Sequence, residues 1–153
     1  MTRLLVIGYG NPLRGDDGFG PALAAQLHDA LQNHTAVEII ACHQLTPELA
    51  EPLSRAQRVV FIDAADGGAP GAIAWQDIQT AADAPTQTTA ARFTHQLTPP
   101  TLLAYAQSLY GAAPAQAFLL TVGGENFGYG ESLSAPVAAA MPRAHARVRA
   151  QLA

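Results

Sequence analysis

The sequence predicts an α/β fold: a three-layer sandwich with a mostly parallel central sheet of about five strands and helices on both faces. Short apolar runs that suit buried strands alternate with helical patterns along the whole chain. The strongest runs are apolar at consecutive positions, as strands covered on both faces require. No repeat and no linker interrupts the 153 residues, so a single domain spanning 1–153 is expected.

RLLVIG, Arg3 to Gly8, is a short apolar run closed by glycine and reads as the first strand. Phe19, Leu23, Leu27 and Leu31 then recur every four residues behind Asp17, which reads as the N-cap of a first helix. VEIIA, Val37 to Ala41, is the second strand. Thr46-Pro47-Glu48 opens a short helix, with proline at its first position. RVVFID, Arg58 to Asp63, is β-branched and aromatic and ends on a carboxylate. After the turn ADGGAPG, the run AIAWQDI, Ala72 to Ile78, reads as a strand nearer an edge. TAADAPTQTTAAR has no periodicity and reads as a surface loop. Thr98-Pro99 starts a helix through Leu102, Leu103, Ala106 and Leu109, and QAFLLTVG, Gln116 to Gly123, is another buried strand. A last helix begins near Ser134 and is expected to kink or split at Pro142.

Composition excludes several functions. The chain carries eight arginines, no lysine and a formal charge of -4. Without lysine there is neither a P-loop nor Schiff-base chemistry. Dispersed arginines on an acidic chain leave no footprint for nucleic acid or an anionic membrane. No apolar run approaches the ~20 residues of a membrane span. The single cysteine, Cys42, allows neither an intrachain disulfide nor a multi-cysteine metal site. MTRLLVIG enters a strand directly, with no signal-peptide pattern. A cytoplasmic monomer is expected.

In such a sheet the ligand lies beyond the carboxyl ends of the strands, at the switch point; in the common order 2-1-3-4-5 that point separates strands one and three. The segments there are Gly8–Asp17, Ala41–His43, Asp63–Gly68 and Gly123–Gly130. GYGNPLRGDDGFG, the first of them, fails as a dinucleotide fingerprint. Leu13 replaces the third glycine, Ala41-Cys42 stand where the ribose carboxylate belongs, and two aspartates would repel a pyrophosphate. A cap explains one of Asp16 and Asp17 but does not require both. Asp63 reads as a turn residue or as a site carboxylate facing Asp17 across the crevice. His95, in RFTHQLTPP, is the third candidate; His43 is a weaker one, while His28, His34 and His145 read as solvated. Two carboxylates and one imidazole suit a borderline divalent metal such as nickel, zinc or manganese.

These residues resemble a known family. GYGNPLRGDDGFG, FIDAADGGAPG and THQL follow the order and spacing of the nickel-iron hydrogenase maturation proteases, and GESLSAPV with its proline-interrupted helix is similar to their closing segment. The resemblance spans nearly the whole chain. It implies a cytoplasmic endopeptidase that removes a C-terminal extension from the hydrogenase large subunit precursor, with nickel already inserted in that precursor as the recognition signal. The family's nickel-contacting residues map onto Asp17, Asp63 and His95, which the resemblance makes both metal contacts and the catalytic set. One departure stands out: many members carry D-G-G-T-x-G after strand two, where this chain has Ala41-Cys42-His43-Gln44-Leu45-Thr46-Pro47. That version resembles the branch serving soluble, NAD-linked hydrogenases.

Three other readings compete. Cys42 beside His43 suggests a thiol protease, but neighbouring strand residues point to opposite faces. A non-cleaving nickel-dependent recognition module would use the same three residues, and a metal-dependent small-molecule hydrolase would bind metal tightly by itself. Arg143, Arg147 and Arg149 suit the negative end of a helix dipole. The loop Gly124–Gly130 reads either as a grip for a partner's tail or as a flexible crossover.

Overall fold

The computed structural model describes residues 2–78 and 97–152. The stretch read as TAADAPTQTTAAR and the candidate His95 lie outside the described residues. Among the described residues, five strands form one sheet: β1 (Thr2–Tyr9), β2 (Val37–Cys42), β3 (Ala56–Asp66), β4 (Ile73–Asp77) and β5 (Gln116–Gly124). The helices are α1 (Phe19–Ala30), α2 (Ala50–Ser54), α3 (Pro99–Tyr110) and α4 (Ala135–Arg149). The sheet is mostly parallel, as predicted.

The strand order differs from the expected one. It is β2-β1-β3-β5-β4, with β4 antiparallel at the edge. The turn between β3 and β4 explains the reversal. Gly67, Gly68 and Gly71 all take positive φ there, so the chain folds back within six residues, whereas a parallel neighbour needs a crossover of a dozen or more. β5 fills the place beside β3, pairing from Arg58↔Gln116 to Asp66↔Gly124.

Alternation along the strands sends side chains to two cores. Leu4, Val6, Val60, Ile62 and Leu120 meet α1 and α4 on one face. Leu5, Ile7, Val59 and Phe61 meet α2 and α3 on the other. On α1 the predicted stripe of Phe19, Leu23, Leu27 and Leu31 is buried throughout. On α3, Leu102, Leu103 and Ala106 are buried, but Leu109 turns out to solvent with 65% of its surface exposed. The helix ends one residue later, at Tyr110, and Gly111 follows as its C-cap with φ of 72°.

α4 is neither split nor ended at Pro142. Proline removes the N–H that would bond the carbonyl of Ala138, yet both residues lie on the exposed side. Val137, Ala140, Met141, Ala144 and Val148 remain on the buried side and hold the helix to the sheet. Two of the arginines assigned to the helix dipole also make specific contacts. Arg143 donates to the Gly71 carbonyl at 3.1 Å, and the Arg147 guanidinium lies 4.5 Å over the Trp75 ring.

Candidate active site

The glycine loop after β1 brings an acidic segment against the sheet. Gly10 has φ of 145°, and a Cβ there would collide with the Asp17 backbone carbonyl. Gly20 opens α1 so close to the strands that a Cβ would stand 2.6 Å from the carbonyl oxygens of Ile62 and Tyr9. These glycines therefore permit close approach between backbones, and a phosphate has no part in that account.

The two aspartates have separate tasks, and neither caps α1. They belong to a 3₁₀ turn, Gly15–Gly18, and the helix starts after Gly18 without a side-chain cap. Asp16 is fully buried. Its Oδ2 accepts from the backbone N–H of Glu125 at 2.8 Å, of Asn126 at 3.0 Å and from the Ser134 hydroxyl at 2.7 Å. Its Oδ1 accepts the Ser134 N–H at 2.7 Å. Burial pushes this carboxyl up, but the four donors outweigh it and hold the group below its ordinary value. Asp17 points elsewhere: its Oδ2 accepts the Asn11 N–H at 2.6 Å, and the side chain is half-buried at the mouth of a cleft.

That cleft has a volume of about 180 Å³ and is walled by Tyr9, Asp17, His43, Gln44, Asp63 and Leu97, among others. It sits where the sheet divides. The β1–β3 pairing ends at Gly8↔Ile62, while β3 continues beside β5. Asp63 is the first residue beyond that fork, three residues before β3 ends, and not the strand's last residue as expected. Asp17 and Asp63 thus share the crevice between β1 and β3 that the switch-point rule indicates.

Asp63 is pushed up to about 6. Burial is the main cause. Its own Oδ1 contact to the Ala64 N–H, at 2.8 Å, and the Tyr9 hydroxyl oppose the shift, while the Asp17 charge adds to it. Tyr9 in turn is raised well above its usual range by burial and by Asp63. Two carboxylates in one partly dry cleft repel each other, and a divalent cation would relieve both. The donor set therefore fits a hard or borderline cation presented to it.

The other candidates fall as follows. His43 is exposed and lines the cleft, so the weaker candidate is placed beside the aspartates. Cys42 packs against the core under α2 and α3, and burial pushes its thiol up; it is not among the residues lining the cleft. His28 and His34 are exposed, as expected, and His145 is half-buried. Among the described residues no three His, Cys, Asp or Glu side chains form a metal-binding group. Tyr9 is the site residue that sequence reasoning missed. The signal was present: Tyr9 follows Ile7 by two positions, and Asp63 follows Phe61 by two, so both belong to the same face of adjacent strands.

No family model and no curated protein matches the sequence. Solved structures do. The hydrogenase 2 maturation peptidase from a Thaumarchaeota archaeon is 28% identical over 99% of this chain and 98% of its own, with a TM-score of 0.71. The hydrogenase maturating endopeptidase HybD of Escherichia coli is 25% identical over 99% of this chain and 92% of its own, with a TM-score of 0.72. In sequence and in fold the chain is similar to hydrogenase maturation proteases. The likeness runs nearly end to end in both directions, as the motif order in the sequence implied. At the level of the fold, the nickel–iron hydrogenase maturation protease HycI of Thermococcus kodakarensis also superposes, with a TM-score of 0.74 at 24% identity. The Thaumarchaeota and Escherichia coli structures are both of peptidases, and among the described residues no cysteine or serine lines the cleft. No helix among the described residues is long and apolar enough to cross a membrane.

Proposed function

We propose that this chain is a cytoplasmic endopeptidase that removes the C-terminal extension of a nickel-iron hydrogenase large subunit precursor after nickel insertion. The observation that carries the reading is the pairing of Asp17 and Asp63 in one cleft at the fork between β1 and β3. Nickel enters as part of the substrate. Asp17 and Asp63 are assigned as its contacts, with His95, from the THQL motif, as the third. Held there, the ion fixes the scissile segment and polarises a carbonyl or a water as a Lewis acid.

The size of the cleft supports a protein substrate over a small one. About 180 Å³ falls below the ~300–1,000 Å³ of small-molecule sites, which disfavours a hydrolase of small metabolites. The non-cleaving recognition module shares every residue and differs only in product. Intact-mass spectrometry of a precursor mixed with this protein, with and without nickel loading, separates the two. Loss of a C-terminal peptide only with nickel, and not with Asp17→Ala, is the expected result. Nickel-dependent binding with no mass change would establish the module instead.

A further inference from the structure

Beside the cleft, two loops far apart in sequence form a hydrogen-bonded clasp. Gly15 N–H donates to the Gly130 carbonyl at 2.8 Å, Gly130 N–H to the Leu13 carbonyl at 2.9 Å, and Asp16 N–H to the Asn126 carbonyl at 2.8 Å. The buried Asp16 carboxylate fastens the same loops from beneath. Above them Arg14 donates from Nε to the Phe127 carbonyl at 3.1 Å, and its guanidinium lies 4.8 Å over the Tyr129 ring. This ordered base presents unusual side chains to solvent. Tyr129 is 89% exposed and Leu13 54% exposed. Among the described residues no carboxylate pairs with Arg14.

Exposed aromatic, arginine and leucine side chains on a loop already ordered by its own hydrogen bonds form a recognition surface with little ordering cost. The cleft alone holds only a few atoms of a polypeptide, whereas a stable protein complex covers about 800 Å² on each partner. A protein whose segment enters the cleft must therefore lie on its rim. The clasp is part of that rim: Asp17 N–H bonds back to the Arg14 carbonyl at 3.1 Å, so the site residue and the clasp share one turn.

We propose that Leu13, Arg14 and Tyr129 are the docking surface for the folded body of the precursor, receiving an apolar side chain flanked by a carboxylate. The carboxylate meets the free edge of the Arg14 guanidinium, and the apolar group packs on Leu13 and Tyr129. This assignment rests on the reading of the chain as a precursor-cleaving enzyme. It separates recognition of the body, by the clasp, from handling of the scissile segment, by the cleft.

The test is steady-state cleavage of nickel-loaded precursor, followed by intact mass, with wild type, Tyr129→Ala and Leu13→Ser. Tyr105→Ala, an exposed aromatic on α3, is the control, and each protein alone is sized by gel filtration. Both clasp side chains are solvent-facing, so the variants keep the fold. KM is expected to rise about tenfold in each clasp variant, with kcat within about twofold of wild type and the control unchanged. Cleavage by wild type with unchanged KM in both clasp variants would overturn the surface and leave the protease reading intact. Wild type that neither binds nor cleaves the precursor would overturn both. Self-association lost in Tyr129→Ala, with KM unchanged, would assign the patch to a second copy of this chain.

Discussion

Asp16 and Ser134, 118 residues apart, are joined by two hydrogen bonds of 2.7 Å, one from the Ser134 backbone N–H and one from its hydroxyl. Ser134 is the N-cap position of α4, so a carboxylate from the first loop stands at the start of the last helix. The contact closes the domain at its ligand end and frees Asp17, the adjacent residue, to face the cleft.

Asp16→Ala is expected to destabilise the fold by roughly 3 kcal/mol, because it leaves three backbone N–H groups without their acceptor. The folded-state carboxyl is held below its ordinary value of 3.8, so its contribution is complete above that pH and is lost as pH falls through the lower folded value. Urea denaturation at pH 7 and near pH 3 should show the gap between wild type and Asp16→Asn narrowing in acid. An equal gap at both values would contradict this.

Asp63→Asn is expected to abolish cleavage yet stabilise the folded protein at pH 7 by the order of 2 kcal/mol. The sign follows from the raised value of about 6. Stability associated with protonated Asp63 is full below the unfolded value and is lost as pH rises through about 6. The amide remains uncharged over that range. Thermal melts at pH 4 and pH 7 check this: the advantage of the variant should appear only at the higher pH.

Gly10→Ala should cost about 2–4 kcal/mol, since the backbone is in the left-handed half of φ space and the new Cβ meets the Asp17 carbonyl. Relief of that clash moves Asp17, so cleavage should fall further than stability does. Melting temperature and initial rate measured on one preparation distinguish the two effects.

Cys42→Ala should cleave within about twofold of wild type. The thiol packs against the core below the cleft, and burial raises it away from the reactive range. A loss of a hundredfold or more would restore the thiol-protease reading.

Much of this molecule was legible in its sequence. The apolar runs located each of the five strands among the described residues, and the four-residue stripe on α1 located its buried face, because these patterns record which side chains leave water. Asp17 and Asp63 were legible as neighbours because both lie toward the carboxyl ends of parallel strands, Asp17 in the loop after β1 and Asp63 near the end of β3. Tyr9 required only the alternation along β1 to be followed one step further.

What remained hidden depended on contacts between distant segments. The sequence determined the α/β layers, the acidic pair and the family motif. It did not determine which aspartate is structural, since the four donors that claim Asp16 come from residues at least 109 positions away. Nor did it show that β4 runs antiparallel at the edge, because that follows from β5 taking the place beside β3. Leu109 is apolar and in phase with a buried stripe, yet it lies exposed in the last turn of α3. Local pattern records the preference of each residue for burial; only tertiary packing decides which surface is there to bury it.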